Sequence, residues 1–118
     1  RGDEEVAKIY DPGHLSVLKL IKMTAKSADR NKIPVSICGE MAGDTLFTSI
    51  LIGMGIRTLS MSTSRILKVK QYLSQVNSNE VKKISDDIFK QDDNVVIKNI
   101  LYNYNQEINK RIREKKYG

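Results

Sequence analysis

Apolar residues recur along this chain with two different periods. From His14 onward they return every three or four positions, with lysines between them, at Leu18, Ile21, Ala25 and Ala28. That spacing is typical of an amphipathic helix. Residues 33–38 are instead short, mostly apolar and β-branched, and they end at Gly39. This second pattern predicts a strand that is buried on both faces.

The alternation continues to residue 76. A second helix is predicted at about residues 45–54, ending near Gly53 and Gly55, and a second strand at residues 58–62. Ser62, Thr63 and Ser64 are candidate N-caps for a third helix, whose apolar positions are Ile66, Val69, Leu73 and Val76. Strands that alternate with helices over short links predict parallel strands in an α/β architecture. Two strands are too few for a stable parallel sheet, so this unit is incomplete or borrows strands from another chain.

Beyond residue 76 the pattern is purely helical. Asn77 and Glu80 have the spacing of a capping box, and Val81, Ile84 and Ile88 follow at helical intervals. Residues 91–94 begin a final helix with one apolar stripe, formed by Ile97, Leu101, Tyr104, Ile108 and Ile112. We therefore expect a mostly helical chain in two parts: an α/β portion at residues 1–76 and a helical extension at residues 77–118.

The amino-acid composition says more about the class of protein and its environment than about its activity. The 118 residues suffice for one small domain, and the net charge of +6 is concentrated after residue 62. Basic residues at the C-terminal end of a helix are stabilised by the helix dipole. The basic segment contains few aromatic residues and no known nucleic-acid-binding motif, so we expect no nucleic-acid partner. No apolar run could cross a bilayer, so we expect no membrane insertion. A lone cysteine fits a reducing cytoplasm.

The lone cysteine, Cys38, is the main candidate for chemistry. A single cysteine is more often a small buried hydrophobe, but this one ends a predicted parallel strand, and the carboxyl ends of such strands face the ligand crevice. Strand alternation places Ser36, Cys38 and Glu40 on one side. Gly39 and Gly43 leave room for a substrate to approach. Cys38 is therefore a candidate acid, base or nucleophile, and position alone does not choose among these roles.

Three segments resemble one family closely: residues 37–44 (Ile-Cys-Gly-Glu-Met-Ala-Gly-Asp), 51–55 and 59–62. They are similar to the end of enzyme I of the bacterial phosphotransferase system, a phosphoenolpyruvate–protein phosphotransferase, and the similarity runs from Arg1 to about Val76. Residues 33–36 and 57–62 look more like its nitrogen-regulatory branch than its sugar-transport branch. Related dikinases that use phosphoenolpyruvate share the Cys-Gly-Glu core but differ at the next three residues.

The resemblance implies a (β/α)8 barrel that binds phosphoenolpyruvate and Mg²⁺, of which this chain would hold about two strands. It implies phosphoryl transfer through a histidine on another domain to an HPr-like carrier, release of pyruvate, and a homodimer. The matching cysteine, Cys38, would donate a proton to C3 of the enolate. Arg1 would contact the substrate phosphate, and Gly39 and Glu40 would lie near the site. The metal carboxylates and the phosphorylated histidine would lie upstream, so we expect no metal ligands here and interpret His14 as a surface residue.

Three functions remain open at this point. The first is a phosphotransferase fragment that is inactive alone. The second is the terminus of a related dikinase, which Met41, Ala42 and Gly43 disfavour. The third is a basic helical protein-interaction module, a remnant that keeps the C-terminal helices as a binding surface.

Overall fold

The computed structural model describes residues 13–117, which are mostly helical. In chain order the elements are α1 (Leu15–Arg30), β1 (Ser36–Cys38), α2 (Glu40–Gly43), α3 (Thr45–Gly53), β2 (Thr58–Ser60), α4 (Thr63–Leu73), α5 (Ser78–Phe89) and α6 (Asn94–Tyr117). The predicted order of helices and strands is confirmed. The structure adds the single turn α2, which is too short to show a period in the sequence.

The two strands pair in parallel, as predicted. Their register places Ile37 opposite Leu59 and Cys38 opposite Ser60. Ile37 and Leu59 pack against the core, whereas the alternate positions on both strands are exposed. The prediction of a strand buried on both faces is therefore wrong within this chain. The second face carries serine, threonine and cysteine side chains, and nothing in residues 13–117 buries them.

Helix α3 lies at the centre of the core. It is apolar on most of its surface, as a helix surrounded by others should be. The largest buried cluster joins it to α1, α5 and α6, through Leu18, Phe47, Ile50, Leu51, Ile88, Ile97 and Leu101 among others. Residues 13–76 and the helical extension therefore share one hydrophobic core.

Helix α3 ends in a hydrogen-bonded motif that requires a glycine. Gly55 has φ +97°, a left-handed conformation that glycine adopts without steric cost. Its N–H donates to the carbonyl of Ile52 at 3.0 Å, and the Ile56 N–H donates to the carbonyl of Leu51 at 3.1 Å. These two bonds form a Schellman motif, and Leu51 and Ile56 are both buried beside it. The predicted helix end near Gly53 and Gly55 is confirmed.

Gly53 has a different task, which is close packing of two helices. A Cβ atom at this position would lie 2.8 Å from the Ser85 Cβ and 2.8 Å from the Val81 carbonyl oxygen. Both neighbours belong to α5. Helices α3 and α5 can therefore approach this closely only because residue 53 has no side chain.

The buried line of α4 differs from the predicted one. Val69 and Tyr72 are buried, and Val76 packs with Tyr72 in a second apolar cluster. Ile66 and Leu73, which were predicted to face the core, are 38% and 37% exposed. The spacing of 69, 72 and 76 is as helical as the predicted one, and the larger aromatic ring of Tyr72 takes the place assigned to Leu73.

Helix α6 is 24 residues long and carries the predicted apolar stripe along its length from Ile97 to Ile112. Ile97, Leu101, Tyr104 and Ile108 are buried, and Ile112 packs against the second cluster. The remaining positions of α6 are largely polar. No helix within residues 13–117 is both long enough and apolar enough to span a bilayer.

Polar contacts hold the hairpin of α5 and α6 together at one point. The two Nη atoms of Arg111 donate to the two carboxylate oxygens of Glu80, each at 2.8 Å, and Nε donates to Glu107 at 3.0 Å. Arg111 Nη1 also donates to the Gln75 carbonyl at 3.1 Å, and the Tyr104 hydroxyl donates to Glu80 at 2.9 Å. We call Glu80, Tyr104, Glu107 and Arg111 the clasp.

The clasp shifts the acidity of its members. Hydrogen bonds from Arg111 lower the pKa of Glu80 below its ordinary value. Burial, together with the bond to Glu80, raises the pKa of Tyr104 to about 12. The capping box predicted at Asn77 is only half formed: Asn77 Oδ1 accepts the N–H groups of Asn79 and Glu80 at 2.8 and 3.2 Å, but the Glu80 carboxylate binds Arg111 instead.

The start of α1 is tied to the start of α6. The Asn94 side-chain oxygen accepts the Leu15 N–H at 2.8 Å, across 79 residues of chain. The neighbouring His14 is exposed and caps α1 itself, with its Nδ1 accepting the Ser16 N–H at 3.1 Å. The interpretation of His14 as a surface residue is confirmed.

Candidate functional site

Cys38 stands at the carboxyl end of β1, paired with Ser60 at the corresponding end of β2. Both side chains are exposed on the polar face of the sheet. The alternative of a small core hydrophobe does not fit this exposure. A parallel pair places the ends of both strands at one edge, where α/β proteins bind their ligands.

Gly39 turns the chain sharply after Cys38. Its φ of +84° and ψ of −159° lie in a region that is essentially restricted to glycine. The turn leads directly into α2, of which Glu40 is the first and Gly43 the last residue. Glu40 is exposed, whereas Met41, Ala42 and Gly43 are buried. The sequence thus places one exposed thiol and one exposed carboxylate on either side of a turn that requires glycine.

A cleft of about 810 Å³ opens beside this turn. Residues from 39–44 line one side of it, and residues from 60–65, which follow β2, line the other. Cys38 does not line the cleft itself but immediately precedes Gly39, which does. We use "the cleft" for this space throughout.

The charged groups at the cleft are two carboxylates and one guanidinium: Glu40, Asp44 and Arg65. Asp44 caps α3, with its Oδ1 accepting the Leu46 N–H at 3.0 Å. Within residues 13–117, neither Glu40 nor Arg65 forms a side-chain hydrogen bond or an ion pair. The Glu40 carboxylate and the Arg65 guanidinium are therefore unpaired among the described residues, whereas the Asp44 carboxylate caps α3.

A magnesium site does not form from these residues alone. Across the described range no three His, Cys, Asp or Glu side chains converge as metal ligands. Glu40 and Asp44 give two carboxylates at most, and Asp44 is committed to its cap. A divalent cation at this cleft would need ligands from outside residues 13–117.

The structure brings together three of the four predicted site residues. Cys38, Gly39 and Glu40 are consecutive and lie at the cleft or directly before it. Arg1 lies outside the described residues. Sequence reasoning missed the contribution of the segment after β2, above all Arg65. The available signal was its place in the first turn of a helix that follows a parallel strand, where side chains face the same edge as Cys38.

The chain belongs to the family of PEP-utilising enzymes, PEP-binding domain, whose profile matches residues 1–78. It is 40% identical over 88 residues to the phosphoenolpyruvate-protein phosphotransferase of Cupriavidus necator, which is 75% of this chain and 15% of that protein. It is 39% identical over 77 residues to a Salmonella typhimurium protein named phosphoenolpyruvate-dependent phosphotransferase system, covering 65% of this chain and 10% of that one.

A third relative gives the same result. The phosphoenolpyruvate-protein phosphotransferase of Borreliella burgdorferi is 34% identical over 92 residues, covering 78% of this chain and 16% of that protein. The resemblance inferred from residues 37–44 is thereby confirmed. The names of these relatives favour a phosphotransferase over a dikinase or an interaction module. The chain spans only 10–16% of the length of these three relatives.

Proposed function

We propose that this chain is the C-terminal part of a phosphoenolpyruvate–protein phosphotransferase and that Cys38 is its proton donor. The observation that carries the proposal is the placement of Cys38. It is exposed at the carboxyl end of a parallel strand, directly before two residues that line the cleft, within the part matched by the phosphoenolpyruvate-binding family. Gly39 and Glu40 are the next two residues of the proposed site.

The chemistry suits a thiol. When the phosphoryl group leaves phosphoenolpyruvate, the remaining enolate must gain a proton at C3 to become pyruvate. Cys38 gives that proton, is left as a thiolate, and regains a proton from water. A thiol stays protonated at neutral pH beside other anions, where a carboxylic acid is usually ionised. In the reverse direction the thiolate removes the C3 proton of pyruvate.

We further propose that β1 and β2 are two of eight strands in a (β/α)8 barrel. The parallel pairing and the polar, exposed face of the sheet support this, because the inner ends of barrel strands carry the catalytic groups at the C-terminal face. Residues 1–76 would belong to the barrel and residues 77–118 would be a helical extension. Arg1, the first of these residues, would contact the substrate phosphate.

The rest of the enzyme would supply what these residues lack. Mg²⁺ would neutralise charge on the substrate, and its ligands would lie upstream. A histidine on another domain would pass the phosphoryl group to an HPr-like carrier of the nitrogen-regulatory branch. We propose a cytoplasmic homodimer without nucleic-acid or membrane partners.

The test compares the intact protein with the 118-residue chain. The intact protein should phosphorylate an HPr-like carrier from phosphoenolpyruvate in the presence of Mg²⁺, and a nitrogen-branch carrier should react faster than a sugar-branch one. The 118-residue chain should transfer nothing and bind phosphoenolpyruvate poorly, because positioning and charge stabilisation carry phosphoryl transfer. No transfer by the intact protein, or micromolar phosphoenolpyruvate binding by the short chain in calorimetry, would contradict the proposal.

A further inference from the structure

We infer that Arg65 is a positioning residue for the turn that follows Cys38, and that it acts through its aliphatic stem rather than its charge. The inference rests on the proposed role of Cys38. A Cβ atom built on Gly43 would lie 3.1 Å from the Arg65 Cγ, 3.2 Å from the Arg65 Cβ and 3.4 Å from the Met61 Cβ. The stem of Arg65 and the side chain of Met61 therefore close directly against the Gly43 backbone. We call this contact the stack.

The stack holds the buried end of a very short segment. Between Cys38 and Gly43 lie only Gly39 and the first three residues of α2. The two ends differ in support. A Cβ on Gly39 would meet nothing within 4 Å, whereas Gly43 is buried against α4 and the residue before it, Ala42, is fully buried. The strand pairing of Cys38 with Ser60 holds one end of the segment, and the packing of Gly43 against Arg65 holds the other.

The head of Arg65 is not what fixes its stem. Within the described residues its guanidinium makes no hydrogen bond and no ion pair, although Glu40 and Asp44 line the same cleft. Long basic side chains commonly pack their methylene groups on a surface and leave the charge in water. A variant that keeps an unbranched stem without the charge should therefore preserve the stack.

Cys38 makes this testable without catalysis, because it is the only cysteine in the 118 residues. The rate of its alkylation by iodoacetamide between pH 6 and pH 10 reports both its exposure and its acidity. Arg65→Ala removes the stem, and Gly43→Ala pushes into the stack. Both should shift the alkylation rate and its pH profile. Arg65→Met, and Lys68→Ala on the exposed side of the same helix, should match the parent chain.

In the intact enzyme the readout is deuterium exchange at C3 of pyruvate. A misplacement of about 1 Å can cost about 10²-fold in rate, so Arg65→Ala should lower kcat by roughly 10- to 100-fold with KM near the parent value. Arg65→Met should recover most of that loss. If the intact parent shows no exchange, the proposed function is wrong. The alkylation comparison still tests whether the stack positions Cys38.

Two results would overturn the inference. One is an Arg65→Ala chain whose Cys38 alkylation matches that of the parent over the whole pH range. The other is an Arg65→Met enzyme that is as impaired as the Arg65→Ala enzyme, with the impairment seen as a raised KM. That second pattern would make the guanidinium a substrate-binding group and not a support for the turn.

Discussion

The cleft and the C-terminal hairpin use their charges in opposite ways. In the hairpin, Arg111 is satisfied on three sides, by Glu80, Glu107 and a backbone carbonyl. At the cleft, Glu40 and Arg65 line the same space, and neither has a side-chain partner within residues 13–117. Paired charges fix a geometry. The paired charges of the hairpin therefore serve stability, whereas the cleft is where the proposed chemistry takes place.

The glycines of the two regions also have different roles. Gly53 lets α3 and α5 pack closely, so it serves the core. Gly39 has a left-handed φ and no neighbour within 4 Å of a built Cβ, so it serves the shape of the turn. The comparison predicts that substitutions at the cleft reduce activity with little change in stability, and that substitutions in the hairpin or at its contact with α3 do the reverse.

The largest expected effect is on activity, from Cys38→Ala in the intact enzyme. Loss of a general acid typically costs about 10²–10⁴-fold, so deuterium exchange at C3 of pyruvate should fall by that factor. Binding of phosphoenolpyruvate and Mg²⁺ should persist, because the thiol contacts neither the metal nor the substrate phosphate in the proposed scheme. In the 118-residue chain the thermal midpoint should change little, since Cys38 is exposed there. Exchange at the parent rate would leave Cys38 without a catalytic role.

The largest expected effect on stability is from Gly53→Ala. The added methyl group meets the Ser85 side chain and the Val81 carbonyl at 2.8 Å, and such overpacking costs about 1–3 kcal/mol. Urea unfolding measures the change. Adding Ser85→Gly should recover only part of the loss, because the Val81 backbone remains in place. A Gly53→Ala chain as stable as the parent would show that α3 and α5 do not pack this closely.

A smaller loss is expected when the clasp is opened by Arg111→Ala. Glu80 and Arg111 side chains are 38% and 28% exposed, so water screens their attraction. We expect about 1 kcal/mol, well below the cost of breaking a fully buried pair. A double-mutant cycle with Glu80→Gln isolates the pairwise part, and Arg113→Ala is the exposed control. An Arg111→Ala loss no greater than that of Arg113→Ala would make the clasp irrelevant to stability.

The smallest effect is the pH dependence of the same contact. The pKa of Glu80 is lower in the folded chain than in the unfolded one, so the clasp contributes its full stability at pH values above the unfolded pKa. That contribution is lost as pH falls from there through the folded pKa. The difference in thermal midpoint between the parent and Glu80→Gln should be constant near neutral pH and shrink below about pH 4. A difference that grows on acidification would reverse the assigned direction.

Elements with a long, regular pattern could be predicted from the sequence. The stripe of α6 from Ile97 to Ile112 repeats often enough that only one face can be buried. The end of α3 was also predictable, because Gly55 alone tolerates the left-handed conformation that closes the helix. The placement of Cys38 at a strand end followed from strand alternation and the glycine after it.

Other features depend on contacts that no local pattern records. The polar face of β1 was predicted to be buried, because an apolar, β-branched run does not show what covers each side. Tyr72 replaced Leu73 in the core because the neighbouring helices select which side chain fits. Arg65 was overlooked because its contact with Gly43 joins residues on different elements. The partner of Glu80, 31 residues away, was missed for the same reason.

The hydrogen bond from the Leu15 N–H to Asn94 has a consequence for synthesis on the ribosome. The first turn of α1 is made before the oxygen that satisfies it, which follows 79 residues later in the chain. Ile97 and Leu101, which complete the core around Leu18, also arrive late. Contacts this distant must wait for the intervening chain and slow the search for the native state. The emerging α1 and α3 therefore expose apolar surface until α6 docks, and it is during this interval that the nascent chain is most open to aggregation.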